Sequence, residues 1–307
     1  MTAGAAPATA LHDRAPAKIN VCLFLGPTRP QDGRHELVSI MQSLTLADEL
    51  TLTPADPAAS GDEVVCPGVD GPNLAGAALA AFRAATGWDA PPQRLEIAKR
   101  VPVAAGMGGG SGDAAAALRL AARASGLGDE ALLLELASGL GADVPAQVRP
   151  GRSLATGMGE HVERLPDGAP FGVLVLPGPG ELSTAAVYRE ADRQGLARDA
   201  GELARRHAAV RAAVAGGGEL PPDLLVNDLA DAARALEPRI DDALAEARSA
   251  GADVVMVSGS GPTVLGLFLG ADGPRRAAGA ASRLAGRDPA PLVAAPEPGW
   301  PPLRGGA

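Results

Sequence analysis

Aromatic side chains are scarce: four Phe, two Trp and one Tyr in 307 residues. The core must therefore be built mainly from Ala, Leu and Val, and a lone aromatic in a polar stretch becomes informative. Two cysteines, Cys22 and Cys66, exclude a disulfide framework, and the four histidines show no metal-ligand spacing. No apolar run approaches the ~18 residues of a membrane-spanning helix, and the basic-then-apolar pattern of a secretory signal is missing. A cytoplasmic, reducing location with no membrane partner is expected. Positive charge is also short: the net charge of −9 argues against a nucleic acid partner, though a local basic pocket for a small phosphorylated ligand remains compatible with it.

What is present is a globular composition, 46% hydrophobic, in a chain long enough for one large or two ordinary domains. Residues 1–14 and 289–307 are rich in Pro, Ala and Gly and read as poorly ordered tails. "PAKINVCLFLG" and "ELVSIMQSLTLADELTLTP" have strand-like patterns, "NLAGAALAAFRAATG" has helical spacing with a glycine stop, and "GRSLATGMGEHVERL" reads as a hairpin. The composition resets near residue 165, which predicts domains over 15–165 and 166–288. Strands and helices mix on both sides without regular βαβ alternation, so an α+β fold is expected rather than a doubly wound sheet.

The stretch "RVPVAAGMGGGSGDAAAALRLAARASG" (100–126) carries three consecutive glycines directly before an alanine-rich helix predicted over 111–125. A helix start exposes unpaired N–H groups with a partial positive charge, and glycines there let phosphate oxygens approach bare backbone. Gly106, Gly108, Gly109 and Gly110 are candidates for such a cradle, with the Ser111 hydroxyl added at the cap. A second triplet at 216–218 shows that glycine clusters also occur by composition alone. The loop is neither a Walker A sequence nor Gly-x-Gly-x-x-Gly.

Three other segments carry candidates. In "PAKIN", Lys18 and Asn20 share one face of a strand, either a solvated face or an ammonium aimed into a cleft. In "LGADVP", Asp143 is a turn or cap residue, or a functional carboxylate. "VSGSGPT" (257–263) is a plain loop or a second backbone surface against the first glycine loop.

Together these segments resemble the GHMP small-molecule kinases, whose phosphate loop is Pro-x-x-x-Gly-hydrophobic-Gly-Gly-Gly-Ser. "PAKINVCL", "DGRHELVSIMQSLTLADEL", "AGMGGGSGDAAAAL", "LGADVP", "LSTAAVYRE" and "VSGSGPTVLGLF" follow in order the blocks of those members that act on a cytidine-diphospho sugar alcohol. The resemblance runs from about residue 15 to 270. It implies two α+β lobes with the active site in the cleft between them, and transfer of the ATP γ-phosphoryl, with Mg²⁺, to the 2-hydroxyl of a methylerythritol moiety. It further implies Lys18 and Asp143 as the catalytic pair. Asn73, Lys99, Pro102 and the loop residues 106, 108, 109, 110 and 111 would hold ATP. Asn20, Arg34, His35, Thr184 and Tyr188 would hold the acceptor, with His35 and Tyr188 toward cytosine. Other acceptor alcohols, or a nucleotide-binding relative without catalysis, are the alternatives.

The sequence departs from the family in three places. Arg34 stands where the family has tyrosine, Gly112 where it has a second serine, which would remove a hydroxyl near the phosphates, and Met107 where leucine is common. No acidic Mg²⁺ ligand is evident beyond Asp113, one turn into the loop helix. The residues are compatible with a monomer or a homodimer.

Overall fold

The computed structural model describes residues 10–69, 71–178 and 180–303. In chain order the elements are β1 (Leu11–Thr28), β2 (His35–Pro54), β3 (Glu63–Val65), α1 (Leu74–Thr86), β4 (Gln93–Ala98), α2 (Gly109–Ser125), α3 (Glu130–Leu140) and α4 (Val144–Val148). They continue with β5 (Arg152–Gly157), β6 (His161–Arg164), β7 (Phe171–Leu176), α5 (Thr184–Gln194), α6 (Ala200–Val214) and α7 (Ala230–Leu236). The last are α8 (Arg239–Ser249), β8 (Val254–Val257), β9 (Val264–Leu269), α9 (Gly273–Arg283) and β10 (Leu292–Ala294).

Two mixed layers of sheet and helix result, an α+β architecture. The first sheet runs β3-β4-β2-β5-β6, with β1 antiparallel to β2 along nearly its whole length. The second is antiparallel, in the order β10-β7-β9-β8. Period-two patterning explains β1 and β2: alternate residues bury on the helix layer or on the second sheet. Asn73 caps α1 by accepting from Ala75 N at 2.9 Å, and Gly87, at φ 68°, ends it; loss of such a cap costs about 1 kcal/mol.

The shortage of aromatics is answered by alanine. Ala114, Ala115, Ala116 and Ala117 in α2 are all fully buried, so this helix packs closely on α1 and β1 with almost no side chain between backbones. Three cores follow. One lies under α1–α3 in the first lobe, including Phe82, Leu79 and Leu95. A second lies under α5 and α7–α9, including Leu174, Ile240 and Phe268. The third fills the space between the sheets with Ile19, Phe24, Ile40, Val175 and Leu265. That shared core joins the lobes face to face and leaves the cleft at one edge.

Both tail expectations need correction where the chain is described. β1 begins at Leu11, not after residue 14, because Leu11 to Arg14 continue the ladder opposite Glu49 to Leu52. The C-terminal stretch is ordered through Leu303: β10 pairs with β7, and the chain then crosses to the first lobe. There Thr45 N donates to Ala295 O, Glu297 N to Ser43 O and Trp300 N to Pro150 O. Arg14 ion-pairs with Glu297, and the Arg119 guanidinium lies 4.9 Å from the Trp300 ring. Composition alone hid these long-range contacts. Residues 1–9 and 304–307 lie outside the described residues.

Candidate active site

β4 leads through Lys99–Met107 into α2, whose first residue is Gly109, two earlier than the periodicity predicts. Gly112 N makes the first helical bond, to Gly108 O at 2.9 Å, so the N–H groups of Gly109, Gly110 and Ser111 are the unpaired donors of the first turn. Gly106 and Gly108 adopt φ of 70° and 67°. A Cβ on Gly106 would lie 2.4 Å from Ser258 O, and one on Gly108 2.8 Å from Lys18 Cγ. Glycine is required at both by close approach as well as by backbone sign. At Gly110 an added Cβ would meet nothing within 4 Å. That face of the turn is open.

The loop separates two cavities. The first, about 360 Å³, is lined by all eight nucleotide-side candidates: Asn73, Lys99, Pro102, Gly106, Gly108, Gly109, Gly110 and Ser111. The second, about 330 Å³, is lined by Lys18, Asn20, Asp143, Thr184 and Tyr188. Gly106, Gly108 and Ser111 border both, so the loop is the shared wall.

At that wall Lys18 Nζ lies 3.1 Å from Asp143 Oδ2 and donates to Asn20 Oδ1 at 2.9 Å. Asn20 Nδ2 donates to Ser39 Oγ, which donates to Cys22 O, each at 2.7 Å, so the amide orientation is set from behind. The Lys18 side chain is 6% exposed and that of Asp143 34%. β1 supplies the lysine; Asp143 sits at the start of α4, where Pro145 stiffens the first turn. Lys18 N donates to Met107 O at 2.8 Å, which pins the strand to the loop. Of the two readings left open for "PAKIN", the structure takes the cleft-facing one. "VSGSGPT" is likewise a second surface: Ser258 Oγ donates to Gly106 O at 3.1 Å, and Thr184 Oγ1 and Ser260 Oγ lie 3.0 Å apart.

On the nucleotide side, Asn73 Oδ1 serves the α1 cap, leaving its Nδ2 as the free end. Lys99 Nζ bridges Asp48 Oδ2 at 2.5 Å and Asp113 Oδ2 at 2.8 Å. Asp48, fully buried, also accepts from Arg100 N and Val101 N, so it anchors the chain entering the loop. Burial, then the nearby Asp48 carboxylate, pushes the Asp113 carboxyl up to about 6 against the Lys99 charge. Burial works against the Lys99 ammonium, but the two carboxylates outweigh it and raise its pKa.

On the acceptor side, Tyr188 is held neutral: burial, then the Asp143 charge, raises its phenol to about 12. Two candidates do not line the cavity. His35 is buried behind it, with Nδ1 donating to Gly26 O at 2.7 Å, Nε2 2.9 Å from Asp192 Oδ1, and its ring 5.8 Å from that of Tyr188. Neither nitrogen is open to a ligand until the half-exposed Asp192 turns away. Arg34 is exposed, its Nη1 3.8 Å from Sδ of Met158, which does line the cavity. Gly112 faces away from the open turn of Gly110: a Cβ there would lie 3.1 Å from Pro16 O. Its missing hydroxyl is therefore not subtracted from the loop, which corrects the sequence expectation.

Asp48, Ser39, Ser258 and Asp192 were not singled out by the sequence. Asp48 stands beside Glu49 in β2, so no local signal in the sequence separates the buried acid from its neighbour. Among the described residues no group of three or more His, Cys, Asp or Glu could hold a metal ion, and no helix is long and apolar enough to cross a membrane.

Two α+β lobes closing on a glycine loop and a lysine–aspartate pair define a small-molecule kinase of the GHMP type. Residues 73–151 match the GHMP kinases N terminal domain and residues 198–287 the GHMP kinases C terminal domain. The chain is 42% identical to the 4-diphosphocytidyl-2-C-methyl-D-erythritol kinase of Streptomyces coelicolor over 84% of its own length and 87% of that protein's. It is 41% identical to that of Kineococcus radiotolerans, over 82% and 79%. A crystal structure of 4-(cytidine 5'-diphospho)-2C-methyl-D-erythritol kinase superposes with a TM-score of 0.71 at 31% identity, covering 93% of this chain and 98% of that one. Homoserine kinase from Cytophaga hutchinsonii shares the fold alone, with a TM-score of 0.68 at 17% identity and 98% of each chain covered. The chain belongs to the 4-diphosphocytidyl-2-C-methyl-D-erythritol kinase family of the GHMP kinases.

Proposed function

We propose that this protein transfers the γ-phosphoryl group of ATP to the 2-hydroxyl of 4-diphosphocytidyl-2-C-methyl-D-erythritol, a step of non-mevalonate isoprenoid precursor synthesis. The observation that carries this reading is the Lys18–Asp143 pair, 3.1 Å apart at the wall shared by two cavities. ATP enters the first with its phosphates over the N–H groups of Gly109, Gly110 and Ser111, and its base toward Asn73, Lys99 and Pro102. The acceptor fills the second, with Asn20 and Thr184 near the reacting end. Tyr188, backed by His35, and Arg34 lie toward the cytosine, where an arginine plane stacks on a base as an aromatic does.

Asp143 accepts the proton of the attacking hydroxyl. Lys18 holds that carboxylate in place, and its charge faces the oxygens on which negative charge accumulates. The transition state of phosphoryl transfer is loose, so alignment outweighs proton removal: about 7–11 kcal/mol against a factor of ~10²–10⁴ from the base. The Asn20–Ser39 relay behind Lys18 serves that alignment.

Mg²⁺ fits the nucleotide side. Asp113 Oδ1 is a buried oxygen without a hydrogen-bond partner, and both Asp113 and Ser111 border the cavity. These two residues would hold the ion together with phosphate oxygens and water, and it would neutralise charge on the β- and γ-phosphates. The free thiols Cys22 and Cys66 suit a reducing, cytoplasmic setting.

The test is steady-state ADP release with three acceptors: the cytidine-diphospho alcohol, homoserine and mevalonate. The reading expects turnover with the first alone. Comparable kcat/KM for either of the others would assign the acceptor cavity to a different alcohol.

A further inference from the structure

At the outer end of the acceptor cavity α5 and β2 converge. Thr184 and Tyr188 of α5 line the cavity, and Asp192 stands one turn beyond Tyr188 on that side of the helix. Thr184 lies beside Ser260 near the glycine loop, so the helix leads outward, and Asp192 is ~12 Å further along it. Leu37 and Met41 of β2 also line the cavity, and His35 belongs to the same strand face, two residues beyond Leu37. The two series meet: His35 Nε2 lies 2.9 Å from Asp192 Oδ1, with the Tyr188 ring 5.8 Å from that of His35.

His35 has no hydrogen-bonding atom left for a ligand. Its side chain is 5% exposed, Nδ1 faces Gly26 O at 2.7 Å, and Nε2 faces Asp192. Asp192 is the opposite case. It is 53% exposed and anchored through Oδ1, while its Oδ2 makes no hydrogen bond among the described residues. The neighbouring acid of α5, Glu190, is taken up by Arg193 and Gln194. What this end of the cavity presents is a carboxylate in a fixed position, a group that accepts hydrogen bonds and donates none.

We propose that Asp192 is the residue that selects the base of the acceptor: its carboxylate accepts from the exocyclic amine of cytosine, and His35 is the positioning residue behind it. This rests on the assignment of the second cavity to the cytidine-diphospho alcohol. Cytosine carries an amine where uracil carries a carbonyl oxygen. The amine gains a charge-assisted hydrogen bond from the carboxylate, whereas the carbonyl is set against it, acceptor to acceptor. Packing against Tyr188 does not make that distinction, because either base has a π-face. Contact of the base with His35 itself would require Asp192 to leave.

Steady-state kinetics with ATP and either the cytidine-diphospho alcohol or its uridine-diphospho analogue tests the proposal in wild type, Asp192→Ala and Asp192→Asn. Wild type should favour the cytidine acceptor. Both variants should raise its KM about tenfold or more and leave KM for ATP unchanged, so the cytidine-over-uridine ratio of kcat/KM falls. Asp192→Asn should also gain on the uridine acceptor, since an amide can donate to a carbonyl. His35→Gln should lower the ratio in the wild-type background but change it little in Asp192→Ala, as befits a residue acting through another. The Asp192 variants change a half-exposed helix position and decide the question even if His35→Gln folds poorly. A cytidine-acceptor KM that is unchanged or lower in Asp192→Ala would mean that removing the carboxylate frees His35 for the base, and would overturn the proposal. So would an unchanged ratio in Asp192→Asn, or a wild type indifferent to the base. A wild type that turns over neither nucleotide-linked alcohol would overturn the reading of the cavity itself, and the proposal with it.

Discussion

The ammonium of Lys18 and the carboxylate of Asp143 lie 3.1 Å apart, one from the first strand of the chain and the other from the start of α4. Replacing the carboxylate tests the pair. Asp143→Asn should lower kcat by ~10²–10⁴-fold, because the amide accepts no proton, while ATP affinity stays within about twofold. Rapid-quench turnover and nucleotide titration separate the two effects. Near-normal turnover would remove Asp143 from the role of base.

Two glycines of one loop should respond oppositely. Gly110 has helix-compatible backbone and open space around an added Cβ, so Gly110→Ala should leave folding stability unchanged or raise it by up to ~1 kcal/mol, while KM for ATP rises. Gly106→Ala places a Cβ 2.4 Å from Ser258 O at φ 70° and should destabilise by more than ~1 kcal/mol. Denaturant unfolding with ATP kinetics reads both. An unchanged KM in Gly110→Ala would mean the phosphates do not sit on that turn.

Asp113 gives a pH signature. Its pKa is raised from 3.8 to about 6 by burial and then by Asp48. The folded chain thus binds this proton more tightly, and the resulting stability is present below pH 3.8 and lost as pH rises through about 6. The stability of wild type minus that of Asp113→Asn should fall as pH rises across that window. A pH-independent difference between the two proteins would contradict the assigned environment.

How much of this was legible in the sequence varied with distance along the chain. The strand–loop–helix around residues 95–125 and the hairpin at 152–164 have local signals, since periodicity and glycine placement are short-range properties. α2 starts two residues before the periodicity predicts because Gly109 and Gly110 read as loop, although of the loop glycines only Gly106 and Gly108 have positive φ. His35 could be assigned toward cytosine by resemblance, but its burial against Gly26 and Asp192 depends on α5, far along the chain. The C-terminal stretch 289–307 reads as a tail for the same reason, although it is ordered through Leu303. Its order comes from Glu297 and Trp300 meeting Arg14 and Arg119, contacts that no local pattern announces.

That C-terminal crossing yields a stability prediction. Trp300 donates through Nε1 to Glu297 and lies under the Arg119 guanidinium. Trp300→Ala should cost about 2 kcal/mol, through lost apolar contact and the cation–π pairing. Urea unfolding followed by circular dichroism measures it; a change below ~0.5 kcal/mol would show that the crossing contributes little.

Arg34 tests the acceptor end. It reaches toward Met158 at the rim of the second cavity, so Arg34→Ala should raise KM for the cytidine-diphospho alcohol far more than KM for ATP. Equal effects on both would move Arg34 out of acceptor recognition.

The most direct measurement is phosphorus NMR of the purified protein with ATP, Mg²⁺ and 4-diphosphocytidyl-2-C-methyl-D-erythritol. The account predicts a new phosphomonoester resonance growing with ADP in equal amount, and neither signal in Asp143→Asn over the same interval. ADP with inorganic phosphate and no phosphomonoester, or an unchanged spectrum with active ATP binding, would contradict it.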